Sequence, residues 1–291
     1  MKYQINKLPY FAENTLSRIT RGAVHSVYRR TINLTDGKHI LALQADGSPL
    51  SPISLICSLL PEDMEMLAVK AQDSVIFGEN DVTIFGENNR SFCFTYADAD
   101  RYDLKLSKAP KAPLLPVLSS NIRKAFILAD TDGFPTLFLE KDDNNLSFVL
   151  LAAKKYMQRS SRLCLEKNYA HAAHELSRLL GLGIGLTPSG DDFLCGVLAG
   201  LFLSGKNTHP LTGFLKTEIR EHLTDTIDIS AAFLACALEE QFSLPVNRLC
   251  TLPSPEEIRT QFQAIGHSSG MDTLCGILFS LSLSCADTPI I

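Results

Sequence analysis

Short runs of β-branched and aromatic residues, separated by polar turn residues, occupy the first hundred positions of the chain. Two of these runs are HILALQA and DSVIFGENDVTIFGENNRSFCFTY, and turn signals such as Asp36-Gly37 bound them. This composition between turns is typical of β-strands. The pentapeptide IFGEN occurs at Ile76–Asn80 and again at Ile84–Asn88, a spacing that predicts successive strands of a meander. We therefore expect a β-rich N-terminal domain.

A proline-rich segment follows, and the hydrophobic pattern beyond it becomes that of helices. Leu106–Ser120 contains three prolines in seven residues, and such a segment is expected to continue neither a helix nor a central strand. We therefore place the domain boundary here, between residues 1–112 and 113–291. Gly133–Glu140 is compatible with one more extended segment. Helices are predicted near 144–160, 168–180, 191–204, 211–224, 228–242, 255–265 and 271–284. Ser254-Pro255-Glu256-Glu257 is a clear helix start, with serine as N-cap and glutamate three residues later.

Two similar segments lie in the helical part. Ser189–Leu198 reads SGDDFLCGVL and Ser269–Leu278 reads SGMDTLCGIL, with seven of ten positions identical at a spacing of 80 residues. Similarity at a fixed spacing indicates one structural unit used twice. The predicted fold class is therefore α+β, with a β-rich N-terminal domain followed by a mainly helical C-terminal domain that carries a pseudo-repeated loop–helix motif.

The serines and acids of these segments allow a purely structural interpretation. Ser189 and Asp192, like Ser269 and Asp272, have the spacing of a capping box. In that arrangement the serine accepts a hydrogen bond from the third helical amide, and the acid reaches back to the amide of the cap. The motif would then only start two buried helices.

The first segment contains more than a cap requires. Capping does not need Gly183, Gly185, Gly190 or the second acid, Asp191. Glycines allow backbone amides to approach a ligand closely, and a helix N-terminus carries roughly half a positive charge. Together these features favour a binding loop for an anionic substrate. Both interpretations remain open at this point.

Composition and charge restrict the possible partners. The chain carries 27 Lys and Arg against 32 Asp and Glu, a net charge of -5, and has no basic footprint for nucleic acid. No apolar segment suits a signal peptide, and the longest apolar run is too short to span a bilayer. The eight cysteines include no C-x-x-C pair. We expect a cytoplasmic protein that binds neither nucleic acid nor membrane.

Two adjacent carboxylates at the loop disfavour the binding of a bare phosphate, because like charges repel. A bound cation such as Mg²⁺, a basic side chain from elsewhere, or a substrate with hydrogen-bond donors would reconcile them. A ureido or carbamoyl group donates N–H groups to a carboxylate, while its neighbouring carboxylate or phosphate can bind the loop amides. On this last view no cofactor is required.

If the two helices pack through their small Cys-Gly faces, both N-termini point into one site. The side chains expected to converge there are those of Thr187, Ser189, Asp191, Asp192, His267, Ser268, Ser269 and Asp272. Among them Asp191, Asp192 and His267 are the candidate catalytic residues, and the others bind substrate together with the glycines. His25 and Arg29 of the N-terminal domain are expected to neutralise a dianionic substrate.

Three segments carry a family resemblance. GLGIGLTPSGDDFLCG (Gly181–Gly196), GHSSGMDTLCG (Gly266–Gly276) and VHSVYRRTINL (Val24–Leu34) resemble the family typified by the AllH subunit of oxamate carbamoyltransferase. The resemblance, which runs over most of the chain, implies phosphorolysis of N-carbamoyl-oxamate to oxamate and carbamoyl phosphate in anaerobic allantoin and purine catabolism. It also implies partner subunits of the AllF and AllG types. It brings no catalytic residues with it, and the S-T-R-T-R phosphate motif of other carbamoyltransferases is absent from the sequence.

Other functions and sites compete with this one. The chain could be a non-catalytic metabolite-binding or scaffolding subunit, or a metal-dependent hydrolase that uses the three loop acids. His171 and His174 lie three residues apart on a predicted helix, but no third metal ligand is evident from spacing. Thr226, in TDTIDIS, is predicted to help cap the helix that follows it.

Overall fold

The computed structural model describes residues 1–129, 133–139, 146–266 and 268–283. Backbone contacts divide the chain into two compact units, residues 1–104 and 105–291, and each is described by itself. The first unit contains nine strands and two short helices. They are β1 (Lys2–Pro9), α1 (Tyr10–Leu16), β2 (Arg21–Tyr28), β3 (Thr31–Thr35), β4 (Ile40–Gln44), β5 (Ser54–Cys57), α2 (Pro61–Met66), β6 (Ser74–Phe77), β7 (Asp81–Phe85), β8 (Ser91–Thr95) and β9 (Asp100–Tyr102).

The sheet of the first unit closes into an eight-stranded barrel. Its strand order is β5-β4-β3-β2-β6-β7-β8-β1, and β1 pairs with β5 to complete the ring, while β9 adds to the far end of β1. The predicted meander is confirmed, because β6, β7 and β8 pair antiparallel in sequence order. Their alternate residues are buried and belong to one apolar core, as a barrel interior requires. Examples are Val75, Phe77, Val82, Ile84, Phe92 and Phe94.

The second unit is helical. Its α-helices are α3 (Leu115–Ala129), α4 (Phe148–Leu165), α5 (Tyr169–Ser177), α6 (Ser189–Leu203), α7 (Pro210–Glu221), α8 (Asp228–Leu238), α9 (Leu244–Arg248), α10 (Pro255–Gln263) and α11 (Ser269–Ser282). Short 3₁₀ helices occupy Ala112–Leu114, Phe134–Phe138, Leu223–Asp225 and Leu249–Thr251. The start of α10 is confirmed as predicted: Ser254 accepts from the amide of Glu257, whose carboxylate accepts from the amide of Ser254. No helix among the described residues has the length and apolar character needed to cross a lipid bilayer.

The core of this unit is built around α6 and α11. Apart from Ser189 and Cys195, every residue of α6 is buried. A Cβ atom on Gly196 would overlap the backbone of Thr273, and one on Gly276 would overlap the backbone of Phe193. The two glycines therefore let the helices approach backbone to backbone. Gly200 in turn lies against Ile277, so the helices run side by side in the same direction and begin at the same end.

A β-rich unit followed by a helical one is roughly consistent with the predicted α+β class, but the structure corrects the prediction in two respects. The strands form a closed barrel. β1 and β5 are far apart in sequence, but they pair with each other and leave no open edge between them. The loop–helix motif is not shown as a repeated unit either. Gly181, Gly183 and Gly185 all have positive φ before α6, whereas Gly266 before α11 does not.

Local predictions were also wrong at several places. Gly133–Glu140 was interpreted as compatible with an extended segment, but its described part forms the 3₁₀ helix Phe134–Phe138. Helices α1, α2, α3 and α9 were not predicted. Residues 144 and 284, the outer ends of two predicted helices, lie outside the described residues.

Candidate functional site

The N-termini of α6 and α11 meet at one end of the helical core. Since Gly196 and Gly276 are each seven residues from the start of their helix, the first turns lie next to each other. Thr187, just before α6, and Ser269, the first residue of α11, are joined by a hydrogen bond of 2.6 Å between their hydroxyl oxygens. The predicted convergence of these two loop–helix junctions is therefore present in the structure.

Asp192 and Asp272 are the buried acids of this junction. Asp192 is 9% exposed and Asp272 is 0% exposed. Among the described residues, Oδ2 of Asp192 and both carboxylate oxygens of Asp272 have no hydrogen-bond partner of good geometry. Buried polar atoms without partners are rare in folded proteins, so these three oxygens are candidates for contact with a proton or a ligand.

Burial changes the acidity of both side chains. It raises the pKa of Asp192 well above its ordinary value, and the neighbouring charge of Asp272 raises it further. Burial also raises the pKa of Asp272, from 3.8 to about 6. Strongly shifted carboxyl groups that lie together in a folded protein are typical of functional sites.

Hydroxyl groups surround the two acids. Thr187 and Ser269 lie close enough to Asp192 to oppose the rise of its pKa. Ser189, Ser268 and the backbone N–H of Phe134 do the same for Asp272, although none of them forms a well-aligned hydrogen bond to it. These hydroxyls can donate to an anionic ligand and accept from an N–H group.

The predicted capping boxes are wrong. The N-cap residues are Pro188 for α6 and Ser268 for α11, and neither makes a side-chain cap hydrogen bond. Ser189 and Ser269 are instead the first residues within their helices. Among the described residues, therefore, no side chain caps either helix. In α6 the amide of Gly190 already donates to the carbonyl of Leu182, and the amides of Asp191 and Asp192 donate to the carbonyl of Pro188. The positive end of each helix dipole still favours an anion nearby.

Asp191 faces a different set of groups from Asp192. Its Oδ1 accepts a hydrogen bond of 2.8 Å from the amide of Gly181, and its Oδ2 accepts a short one from the hydroxyl of Thr226. One carboxylate thus ties the glycine loop to the turn before α8. Thr226 was predicted to cap α8, but the N-cap is Ile227 without a side-chain hydrogen bond.

The glycines of the loop have distinct structural roles. A Cβ atom on Gly190 would overlap the carbonyl oxygen of Leu179, and one on Gly183 would lie 2.7 Å from the amide nitrogen of Ser189. Packing therefore accounts for these two glycines, which the sequence had left without a structural reason. Gly185 differs, because its Cβ position is open and its φ is +102°. Beside it Ile184 is 93% exposed, so the loop tip projects into solvent.

Three further residues were predicted to join this site. His267 lies outside the described residues. His25 and Arg29 belong to the first unit, where Nδ1 of His25 is 3.0 Å from the hydroxyl of Ser26 and Arg29 forms an exposed ion pair of 3.1 Å with Glu62. Sequence reasoning did not identify Phe134, whose backbone reaches Asp272 from a segment with no resemblance to the loop motifs.

The structure gives no support to a three-acid metal centre. Among the described residues, no group of three or more His, Cys, Asp or Glu side chains is placed to hold a metal ion. His171 and His174 do not share a ligand: the first contacts Asn168 at 2.8 Å and the second contacts Glu218 at 3.2 Å. Both pairs are exposed and are consistent with a polar helix face.

Comparison with known families gives two matches. Residues 179–281 match the family described as oxamate carbamoyltransferase subunit AllH, and residues 4–101 match the AllH family N-terminal domain. The first match spans the glycine loop and both helices of the junction. No solved structure matches the chain.

Proposed function

Since the chain belongs to the AllH family of oxamate carbamoyltransferase subunits, we propose that it supplies the site at which this enzyme binds its carbamoyl substrate. The reaction would be the phosphorolysis of N-carbamoyl-oxamate to oxamate and carbamoyl phosphate. AllF- and AllG-type subunits would complete the enzyme, in the cytoplasm of cells that degrade allantoin anaerobically. The observation that carries the proposal is the paired start of α6 and α11 around two buried acids, three of whose four oxygens have no hydrogen-bond partner among the described residues.

The junction offers complementary groups to such a substrate. First-turn amides of α11, together with the hydroxyls of Ser189 and Ser269, can donate to the carboxylate of the oxamate part or to phosphate, and the positive ends of both helix dipoles favour that charge. Asp192 and Asp272 can accept from the N–H groups of the carbamoyl part. A substrate with negative charge at one end and N–H donors at the other therefore suits both halves of the site.

For Asp191 we propose a positioning role in place of the predicted catalytic one. Both of its oxygens already accept hydrogen bonds, from Gly181 and Thr226. Its carboxylate holds the base of the glycine loop, so that the loop amides are fixed before the substrate arrives. Fixed donors stabilise charge without reorganisation during the reaction, which is the main advantage of such a loop.

Binding to the isolated chain is the first test. Calorimetry with N-carbamoyl-oxamate, oxamate and carbamoyl phosphate is expected to show saturable binding that is lost in Ser269→Ala combined with Asp272→Asn. Glu256→Gln, which changes an exposed acid in the first turn of α10, serves as the control and should bind like the wild type. Titrations with Mg²⁺ are included, because a phosphate dianion approaches two acids more readily as its magnesium complex.

Turnover with the partner subunits is the second test. The reconstituted complex is expected to release carbamoyl phosphate from N-carbamoyl-oxamate and phosphate, and the double variant should fail to do so. If the wild-type chain binds these ligands but the double variant supports normal turnover, this chain is a metabolite-binding or scaffolding subunit instead. The absence of binding under all of these conditions would contradict the proposed site.

A further inference from the structure

Asp192 and Asp272 form a buried acid pair at the start of α6 and α11. Within the described part of the chain, neither carboxylate makes an ion pair with lysine, arginine or histidine, and three of their four oxygens accept no hydrogen bond. An ionised carboxylate in such surroundings is strongly disfavoured, and two adjacent ones are disfavoured further by their repulsion. One bound proton would relieve both costs.

We propose that this pair holds a single proton in the resting protein, on Asp192, and that Asp192 delivers it to the leaving nitrogen of the substrate. This inference rests on the proposed function. It assigns a proton donor to the reaction, and it gives the two acids different roles although the same serine–glycine pattern precedes both.

The surroundings determine which acid holds the proton. Burial and the charge of Asp272 both favour protonation of Asp192. Ser189, Ser268 and the amide of Phe134 favour the ionised form of Asp272. Two carboxyl groups whose acidities are pushed apart are the usual arrangement for one acid and one base in the same site.

The other titratable groups that the structure describes near the pair do not compete for this proton. Asp191 lies on the same turn, and its negative charge favours protonation of Asp192 still more. Burial raises the pKa of Cys195 and of Cys275 well above the ordinary thiol value, so both thiols are neutral at physiological pH. Neither thiol therefore exchanges a proton with the pair, and the charge of Asp191 keeps the proton on Asp192.

The reaction balances when the two acids donate and accept protons in turn. An oxygen of hydrogenphosphate forms a bond to the carbamoyl carbon, and the bond from that carbon to the oxamate nitrogen breaks. The departing nitrogen takes the proton of Asp192, because an amide anion is a poor leaving group. The ionised Asp272 accepts the proton that hydrogenphosphate loses. Transfer of that proton from Asp272 to Asp192 restores the resting pair, with no net gain or loss.

Infrared difference spectroscopy on the isolated chain tests the shared proton directly. At neutral pH the wild type should show the carbonyl stretching band of a protonated carboxyl group, shifted by heavy water, and Asp192→Asn should lack it. Glu256→Gln, the exposed control, should keep it. Circular dichroism verifies that each variant folds. A wild type without this band at neutral pH would overturn the proposal whatever the function of the chain.

Steady-state kinetics of the reconstituted enzyme test the delivery step. Loss of a general acid lowers kcat by about 10²–10⁴-fold, and since Asn keeps the shape of Asp, KM should change little in Asp192→Asn. A kcat equal to that of the wild type would overturn delivery by Asp192. If the band behaves as expected but the wild-type complex shows no turnover, the proposed function fails and delivery fails with it. The infrared result for the proton-sharing pair is unaffected by that failure.

Discussion

Replacement of Asp272 by asparagine is predicted to stabilise the protein at neutral pH. The carboxyl group is fully buried, and its pKa is raised from 3.8 to about 6, so its ionised form costs folding free energy. A difference of roughly two pH units corresponds to about 3 kcal/mol. An asparagine of the same shape avoids that cost, but its amide must also find partners, and we expect a net gain of about 1–3 kcal/mol.

The pH dependence has a definite sign. Well below pH 3.8 the acid is protonated in both the folded and the unfolded chain, and the wild type carries no penalty. As the pH rises from about 4 to 6, the unfolded chain ionises first, so wild-type stability falls, and above that range the full penalty remains. The gain from Asp272→Asn should therefore be small at pH 4 and largest above pH 6.

Urea unfolding followed by circular dichroism measures this effect, since the chain has no tryptophan for fluorescence. Asp191→Asn is the matched comparison: it lies at the same junction, but both of its oxygens accept hydrogen bonds, so this variant should be destabilised instead. A loss of stability in Asp272→Asn at pH 7.5, or an equal change at pH 4 and pH 7.5, would refute the reasoning.

Three further predictions follow from the packing. Gly190→Ala should lower the unfolding free energy by more than about 2 kcal/mol in urea titrations, because its Cβ would overlap a backbone oxygen. Gly213→Ala, on the exposed face of α7, should raise it by about 0.5–1 kcal/mol. Thr226→Val should cost about 1–3 kcal/mol in the same assay, since Asp191 loses a charged hydrogen bond, and limited proteolysis should then cut the glycine loop faster. Cys236, whose pKa burial raises to about 12, should react with a thiol reagent only at the rate of unfolding.

Helices with a regular apolar pattern were predictable from sequence, but α3 was not. Its prolines at 113 and 116 were interpreted as helix breakers. In the structure Pro113 lies in the 3₁₀ turn before α3, and Pro116 is the second residue of the helix. Proline is tolerated at such positions, because the first-turn amides have no partner within the helix. The barrel was not predicted because β1 and β5 are separated by some fifty residues. No local pattern indicates that they pair.

The site was predictable in part. The shared sequence at the start of α6 and α11 correctly indicated that Thr187, Ser269 and the two buried acids lie together. It did not reveal which of Asp191 and Asp192 faces the junction. Adjacent side chains on a helix point about 100° apart, but the partners that each one meets lie on other elements. The contact of Phe134 with Asp272 also depends on tertiary packing, and no motif in its segment indicates it.

Hydrogen–deuterium exchange of the chain, with and without N-carbamoyl-oxamate and phosphate, tests the central claim most directly. If the substrate binds at the paired helix N-termini, exchange should slow in residues 181–188 and in the first turns of α6 and α11. It should be unchanged in α7, which carries none of the proposed site residues. Slower exchange confined to other parts of the chain, at concentrations where calorimetry detects binding, would contradict the proposed site.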